Sequence, residues 1–289
     1  MAEDRTTTPA GTDIPDVPPA AAEYAERPAP PRINTSVPHS ARIWNYLLGG
    51  KDNYHVDRLA GDRVVEVFPG MRDITRHSRH MLTRAVRFLA GEAGIRQFLD
   101  IGTGLPTEDN THEVAQRVAP ESRIVYVDND PLVLVHAQAL LTSTPEGKTD
   151  YIEADVRDPE RILAAAAETL DFSRPTALML MGILGLVADH DEARSIVTRL
   201  MDALPAGSYL ALYDGADTDP AYVEALRRHN SAPGVVAYTP RSPELIGRYF
   251  DGLTLLEPGI TSVSHWRAES GPWPVAAEVA CFGGVALKS

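Results

Sequence analysis

Five short apolar runs with helical segments between them occupy residues 97 to 214, and that alternation restricts the chain to few folds. The runs are Gln97-Phe98-Leu99-Asp100-Ile101-Gly102, then 123–128, 150–155, 176–182 and 208–214. Apart from 150–155, each is nearly continuous in apolar residues, so these strands need cover on both faces. Strand-helix repetition of that kind gives a parallel sheet sandwiched by helices. The rhythm changes afterwards: residues 253–260 and 278–289 are two strand-like runs without a long helix between them. They predict an antiparallel hairpin at the sheet edge.

Residues 1–33 are rich in Pro, Ala, Thr and acids and lack a hydrophobic period, so they cannot offset the entropy of ordering and read as a disordered tail. Residues 34–94 read as a helical cap: Ser40 is a candidate N-cap for a helix that stops at Gly49-Gly50, and 72–90 carries Ile74, Met81, Leu82, Ala85, Val86 and Leu89 at helical spacing. Residues 95–289 form the main α/β domain. Arg72, Arg76 and Arg79 make one basic stripe on the long helix, either a solvated face or, through Arg79, a carboxylate contact.

Charge narrows the function. Among 289 residues, 40 acidic against 27 basic side chains give a formal charge of −13, which repels phosphate backbones and anionic lipid. Neither nucleic acid nor membrane is expected as a partner. No apolar run reaches the roughly 18 residues of a membrane span, and the first residues lack a signal-peptide pattern, so a cytoplasmic location is expected. The lone cysteine, Cys281, lies in an apolar run and reads as a buried thiol. Asp214, Asp217 and Asp219 are close in sequence, but Asp219-Pro220 reads as a helix start and the others as loop acids, so no metal is expected.

The ligand signals lie where the strands end. Gly102-Thr103-Gly104 follows the first strand and its Asp100, giving a sharp turn that brings backbone close to a ligand. Asp128, with Asn129 after it, ends the second strand 24 residues beyond Gly104, where a carboxylate accepts ribose hydroxyls. The alternative is that Asp128 and Asp130 cap the helix opening at Pro131, which suits Asp130 better. Asp155-Val156 ends the third strand, where Asp155 either accepts from an adenine amino group or caps the next turn; Gly182 ends the fourth. A dinucleotide requires a third glycine and a helix N-terminus on the pyrophosphate. Position 107 is Thr, Pro106 interrupts, and the helix waits until Asn110, which pairs with Glu113 as a capping box. Asp100 would repel a pyrophosphate but suits an ammonium and a sulfonium, which favours S-adenosyl-L-methionine.

The stretches Ser40 to Tyr54, Phe98 to Thr107, Asn110 with His112-Glu113-Val114-Ala115-Gln116, and Val125 to Pro131 resemble a bacterial family of S-adenosyl-L-methionine-dependent methyltransferases first catalogued as a domain of unknown function, DUF574. The resemblance runs from about residue 33 to the C-terminus. It implies the Rossmann-like class I methyltransferase fold, a mostly parallel seven-stranded sheet with an antiparallel last strand, with S-adenosyl-L-methionine as cofactor. It also places the Gly49–Tyr54 turn over the cofactor, with Tyr46 and Asn53 reaching the methionine end; the alternative is a plain linker.

Two departures from the family pattern bear on catalysis. A Leu-His-aromatic-Ile-Pro-Asp run is common after the fourth strand, where this chain has Leu184-Gly185-Leu186-Val187-Ala188-Asp189, and a Ser-His after the fifth, where it has Tyr213-Asp214. Methyl transfer from a sulfonium depends largely on alignment, so a base is optional for a good nucleophile. For a hydroxyl acceptor, His39, His55, His112, Tyr213 and Asp214 are the candidate bases, each with a structural alternative. The expectation is a methyltransferase acting on a small-molecule acceptor, with a homodimer as one assembly left open. A non-catalytic S-adenosylmethionine sensor is the alternative, and a dinucleotide oxidoreductase is disfavoured by Pro106 and Thr107.

Overall fold

The computed structural model describes residues 33–107, 109–140, 142–268 and 276–289. The tail assigned to residues 1–33 therefore lies, except for Ile33, outside the described residues. Among the described residues three helices precede the sheet: α1 (Ser40–Leu47), α2 (His55–Val67) and α3 (Met71–Gly91). The N-cap of α1 is His39, not Ser40: its Nδ1 accepts the Ala41 N–H at 3.3 Å, and Ser40 is already the first helical residue. Asp57 starts α2, taking the Tyr54 N–H at 2.8 Å on one oxygen and the His39 N–H at 2.9 Å on the other.

Strands β1 (Gln97–Ile101), β2 (Arg123–Asp128), β3 (Lys148–Glu153), β4 (Ala177–Met181) and β5 (Tyr209–Gly215) are parallel, in the order β3-β2-β1-β4-β5. Between them run α4 (Thr111–Val118), α5 (Pro131–Leu140), α6 (Pro159–Ala166) and α7 (His190–Asp202). α8 (Pro220–Asn230) and the short α9 (Pro243–Gly247) follow β5. The C-terminal part carries the expected antiparallel pairing at the sheet edge, drawn from residues 253–260 and 278–289. β8 (Cys281–Leu287) is inserted antiparallel beside β5, and β6 (Thr254–Leu255) and β7 (Thr261–Ser262) both pair with its other side. The last strand is interior because both of its edges find partners, and only two-residue strands are left outside it.

Side chains alternate across the sheet with a period of two. Phe98, Ile124, Tyr126, Met179 and Ala211 face one way and pack with Met81, Ala85, Val86 and Leu89 of α3. Leu99, Val125, Leu178, Leu180 and Leu210 face the other way and pack with Ile162 of α6 and Ile196 and Leu200 of α7. Fully burying each such side chain contributes about 1.5–3 kcal/mol. Asp100, two residues beyond Phe98, falls on the α3 face, where the charge of Arg79 acts on it. Register aligns the strand ends: Ile101 pairs with Val127 and Leu180, Asp128 with Glu153, and Met181 with Tyr213. The order reverses between β1 and β4, and ligands bind outside the carboxyl ends at such a switch point.

Candidate cofactor and acceptor site

A cavity of about 220 Å³ lies at that edge. Its cradle begins at Gly102, whose φ of +76° is left-handed and where a Cβ would come within 2.7 Å of Ile183 Cγ1, so only glycine fits. The N–H groups of Gly102 and Thr103 fold back onto Val127 O at 2.8 and 3.3 Å. Gly104 donates to Asp128 Oδ2 at 2.8 Å, while Asp130 N–H donates to Oδ1 at 3.0 Å. Burial raises the Asp128 carboxyl against the pull of those two amides. Helix capping falls to Asp130, which takes the Leu132 N–H at 3.0 Å. Its other oxygen stands 3.1 Å from His39 Nδ1 and 3.6 Å from Arg42 Nε, tying α1 to the end of β2. Spacing gave no hint of that tie, because its partners are almost ninety residues apart.

Asp100, Thr103, Asn129, Asp155, Val156, Gly182 and Arg79 also border the cavity. Burial pushes the Asp100 carboxyl up to about 6, opposed by the 2.6 Å hydrogen bond from Thr111 Oγ1 and by the charge of Arg79. Arg79 donates to Asn110 Oδ1 at 3.2 Å. The basic stripe is not one surface, since Arg72 lies over the Tyr46 ring and Arg76 pairs with Asp73 at 3.5 Å. Asp155 Oδ1 accepts the Arg157 N–H at 2.9 Å, which caps the turn after β3, and the residue also lines the cavity.

Several residues singled out in the sequence lie elsewhere. Tyr46 is engaged at 2.5 Å with Asp62, across from α2, and does not border the cavity. Asn53 is held by Asn45 Oδ1 and Gly50 O at 3.0 and 2.9 Å, which closes the glycine turn instead of reaching the cavity. His55 is exposed, and buried His112 is held on Tyr126 OH through its N–H and Nδ1 at 2.7 and 2.9 Å. Asp214 points away from the cavity into a buried cluster with Tyr238 OH and Arg241, and burial pushes it up to about 7. Tyr213 does border the cavity, with its phenol raised by burial.

The sequence reading missed the far half of the cavity. Leu47, Val64, Met71 and Ile74 of α1–α3 face Tyr222, Leu226 and His229 of α8 there. The i, i+4, i+7 spacing on α8 was the available signal. Tyr238 closes this end, its ring against Gly185 and Gly215, where any Cβ would collide with it.

The residues present suit one kind of ligand. Carboxylates at the ends of β1 and β2, a glycine turn between them, and no helix N-terminus to spare describe a cationic nucleoside site. The first turn of α4 is already satisfied, Asn110 N–H by Glu113 at 2.8 Å and His112 N–H by Tyr126 OH of β2, so its amides are not offered to a pyrophosphate. Fold and site together define a class I, Rossmann-like S-adenosylmethionine-dependent methyltransferase.

The chain belongs to the S-adenosyl methyltransferase family, whose model matches residues 26–289. Its cofactor is S-adenosyl-L-methionine. It is similar to a DUF574 family protein from Streptomyces avermitilis, with 47% identity over 89% of this chain and 100% of that one and a TM-score of 0.84. It is also similar to a candidate methyltransferase from Thermobifida fusca, with 42% identity over 88% of this chain and 96% of that one and a TM-score of 0.81. No curated protein matches the chain. No helix among the described residues is long and apolar enough to cross a membrane.

Proposed function

We propose that this methyltransferase modifies a small molecule enclosed between helices α1–α3 and α8, with those first three helices acting as the cap. The carrying observation is that the polar cradle and the apolar half are one cavity, walled by side chains from both ends of the chain. The charge of −13 supports a non-polymeric, non-anionic acceptor.

In this reading the Asp128 carboxylate takes the ribose hydroxyls, and Asp155 with Val156 borders the adenine. Arg79 and Asp100 serve the carboxylate and the cationic groups of the methionyl end. S-adenosylmethionine supplies a methyl group already activated by its sulfonium. The chain's own task is to hold an acceptor in line and exclude water, which can account for much of the rate. The inward-turned Asp214 is a strut: with Tyr238 and Arg241 it fixes the loop at Leu184–Ala188, to which Arg241 donates at Leu184 O (3.0 Å) and Ala188 O (3.3 Å).

Calorimetry with S-adenosylmethionine, S-adenosylhomocysteine and NAD, followed by transfer of labelled methyl in a bacterial extract separated by size, tests this. Binding of the first two ligands, with label in the low-mass fraction, is expected. Label in protein or nucleic acid would overturn the small-molecule acceptor.

A further inference from the structure

His229 stands in the last turn of α8, on the face that carries Tyr222 and Leu226 into the cavity. Its imidazole has no hydrogen bond or ion pair with the described residues, unlike the other histidine on this wall, His39. Burial alone holds it below the usual histidine range, leaving a neutral ring at neutral pH. The same side chain borders a second cavity, lined by Ala60, Arg63, Glu66, Val67, Arg228 and Ala232. Arg63, Glu66 and Arg228 are exposed there, so His229 separates the main cavity from a charged space that meets solvent.

The chamber before it is apolar. Leu47, Val64, Met71, Ile74 and Leu226 are each at most 7% exposed, and a charged acceptor would lose its hydration among them without gaining a partner. Tyr238 cannot serve as an alternative proton acceptor, because its OH takes the Gly215 N–H at 3.0 Å and donates to Asp214.

We propose that the acceptor is an uncharged, apolar ring compound bearing an acidic hydroxyl, a phenol, and that His229 takes the proton of that hydroxyl. The O–H bond breaks and an N–H bond forms on the imidazole. The freed oxygen pair makes the bond to the methyl carbon, the pair of the breaking S–C bond stays on sulfur, and the proton leaves through the second cavity. The titratable groups that line the second cavity with His229 are Arg63 and Glu66 from α2 and Arg228 on its own helix, and Tyr222 and Tyr238 line the main cavity with it.

The inference rests on the methyltransferase reading, and the test separates the two. The full-length chain is loaded with S-adenosylhomocysteine, its affinity is measured, and 4-nitrophenol, whose phenolate is coloured, is titrated in. Saturable binding of the neutral phenol is expected, and with S-adenosylmethionine in place of S-adenosylhomocysteine the phenolate colour of the free probe should fade as the methyl ether forms. His229→Gln should keep cofactor and probe binding but slow that transfer about 10-fold or more, worth about 1.4 kcal/mol. His229→Asn replaces it if the glutamine variant loses cofactor affinity. Absence of saturable probe binding, no transfer by the wild type, or an unchanged transfer rate in the variant overturns this inference. Failure of S-adenosylhomocysteine to bind the wild type overturns the cofactor reading instead.

Discussion

Asp128→Asn separates the two duties of this carboxylate. In the folded protein its oxygens accept Gly104 N–H at 2.8 Å and Asp130 N–H at 3.0 Å. An amide side chain offers one oxygen and one NH₂, so one backbone donor must face another donor, a loss of about 1–3 kcal/mol at a buried site. At about 2–4 °C per kcal/mol for a chain of this size, the ligand-free melting temperature should fall by several degrees. Cofactor affinity should fall separately. Charge-assisted hydrogen bonds contribute about 1.5–3 kcal/mol each and neutral ones about 0.5–1.5, so replacing the carboxylate should weaken binding by about 10- to 100-fold. The assay is calorimetry with S-adenosylhomocysteine beside a thermal melt of each protein without ligand. A variant with a lowered melting temperature but unchanged affinity would refute the ribose role and leave Asp128 as a turn residue only.

Binding a cation beside Asp100, whose carboxyl sits at about 6, should lower that value and release protons near pH 6. Calorimetry of S-adenosylmethionine binding in buffers of different ionisation enthalpy should show the release, and its persistence in Asp100→Asn would place the proton elsewhere. Gly102→Ala should destabilise the protein by about 1–2 kcal/mol from left-handed backbone alone, with the Ile183 contact adding to it; a melting temperature within a degree of wild type would refute the tight-turn account. Asp214 has a folded value of about 7, raised above its unfolded range. Its contribution to stability is therefore present in acid and is lost as pH rises through about 7. Asp214→Asn should gain on the wild type between about pH 4 and 7 as a result and keep that advantage above it, and parallel melting curves across that window would contradict the burial of this carboxyl. Cys281 is 2% exposed and burial raises its thiol, so the native protein should resist thiol reagents that label it rapidly after unfolding; rapid labelling of the folded chain would show an open path to it.

The cradle was legible because its parts are local. Gly102, Gly104, Asp128 and Asp155 each stand at the end of an apolar run, and a run of that kind names both its strand and the edge where it stops. The capping box at Asn110 and Glu113, likewise set by neighbours three residues apart, delays α4 and argues against a pyrophosphate from sequence alone. Side-chain direction was not local. Tyr46 and Asn53 sit in a motif that the family resemblance placed over the cofactor, yet Asp62 and Asn45 take their polar atoms. Asp214 ends a strand as Asp128 does, but packing of Tyr238 between Gly185 and Gly215 draws it inward. The antiparallel pairing of the C-terminal run was legible, but the order of its neighbours was not, since an antiparallel strand reads the same at an edge as between two partners. By itself the sequence determined the strand-helix order, the glycine turn and the acids that end the strands, all properties of residues near one another along the chain. Only the tertiary structure decided which walls enclose the cavity and which histidines border it, because α2 and α8 are about 150 residues apart and meet only through packing.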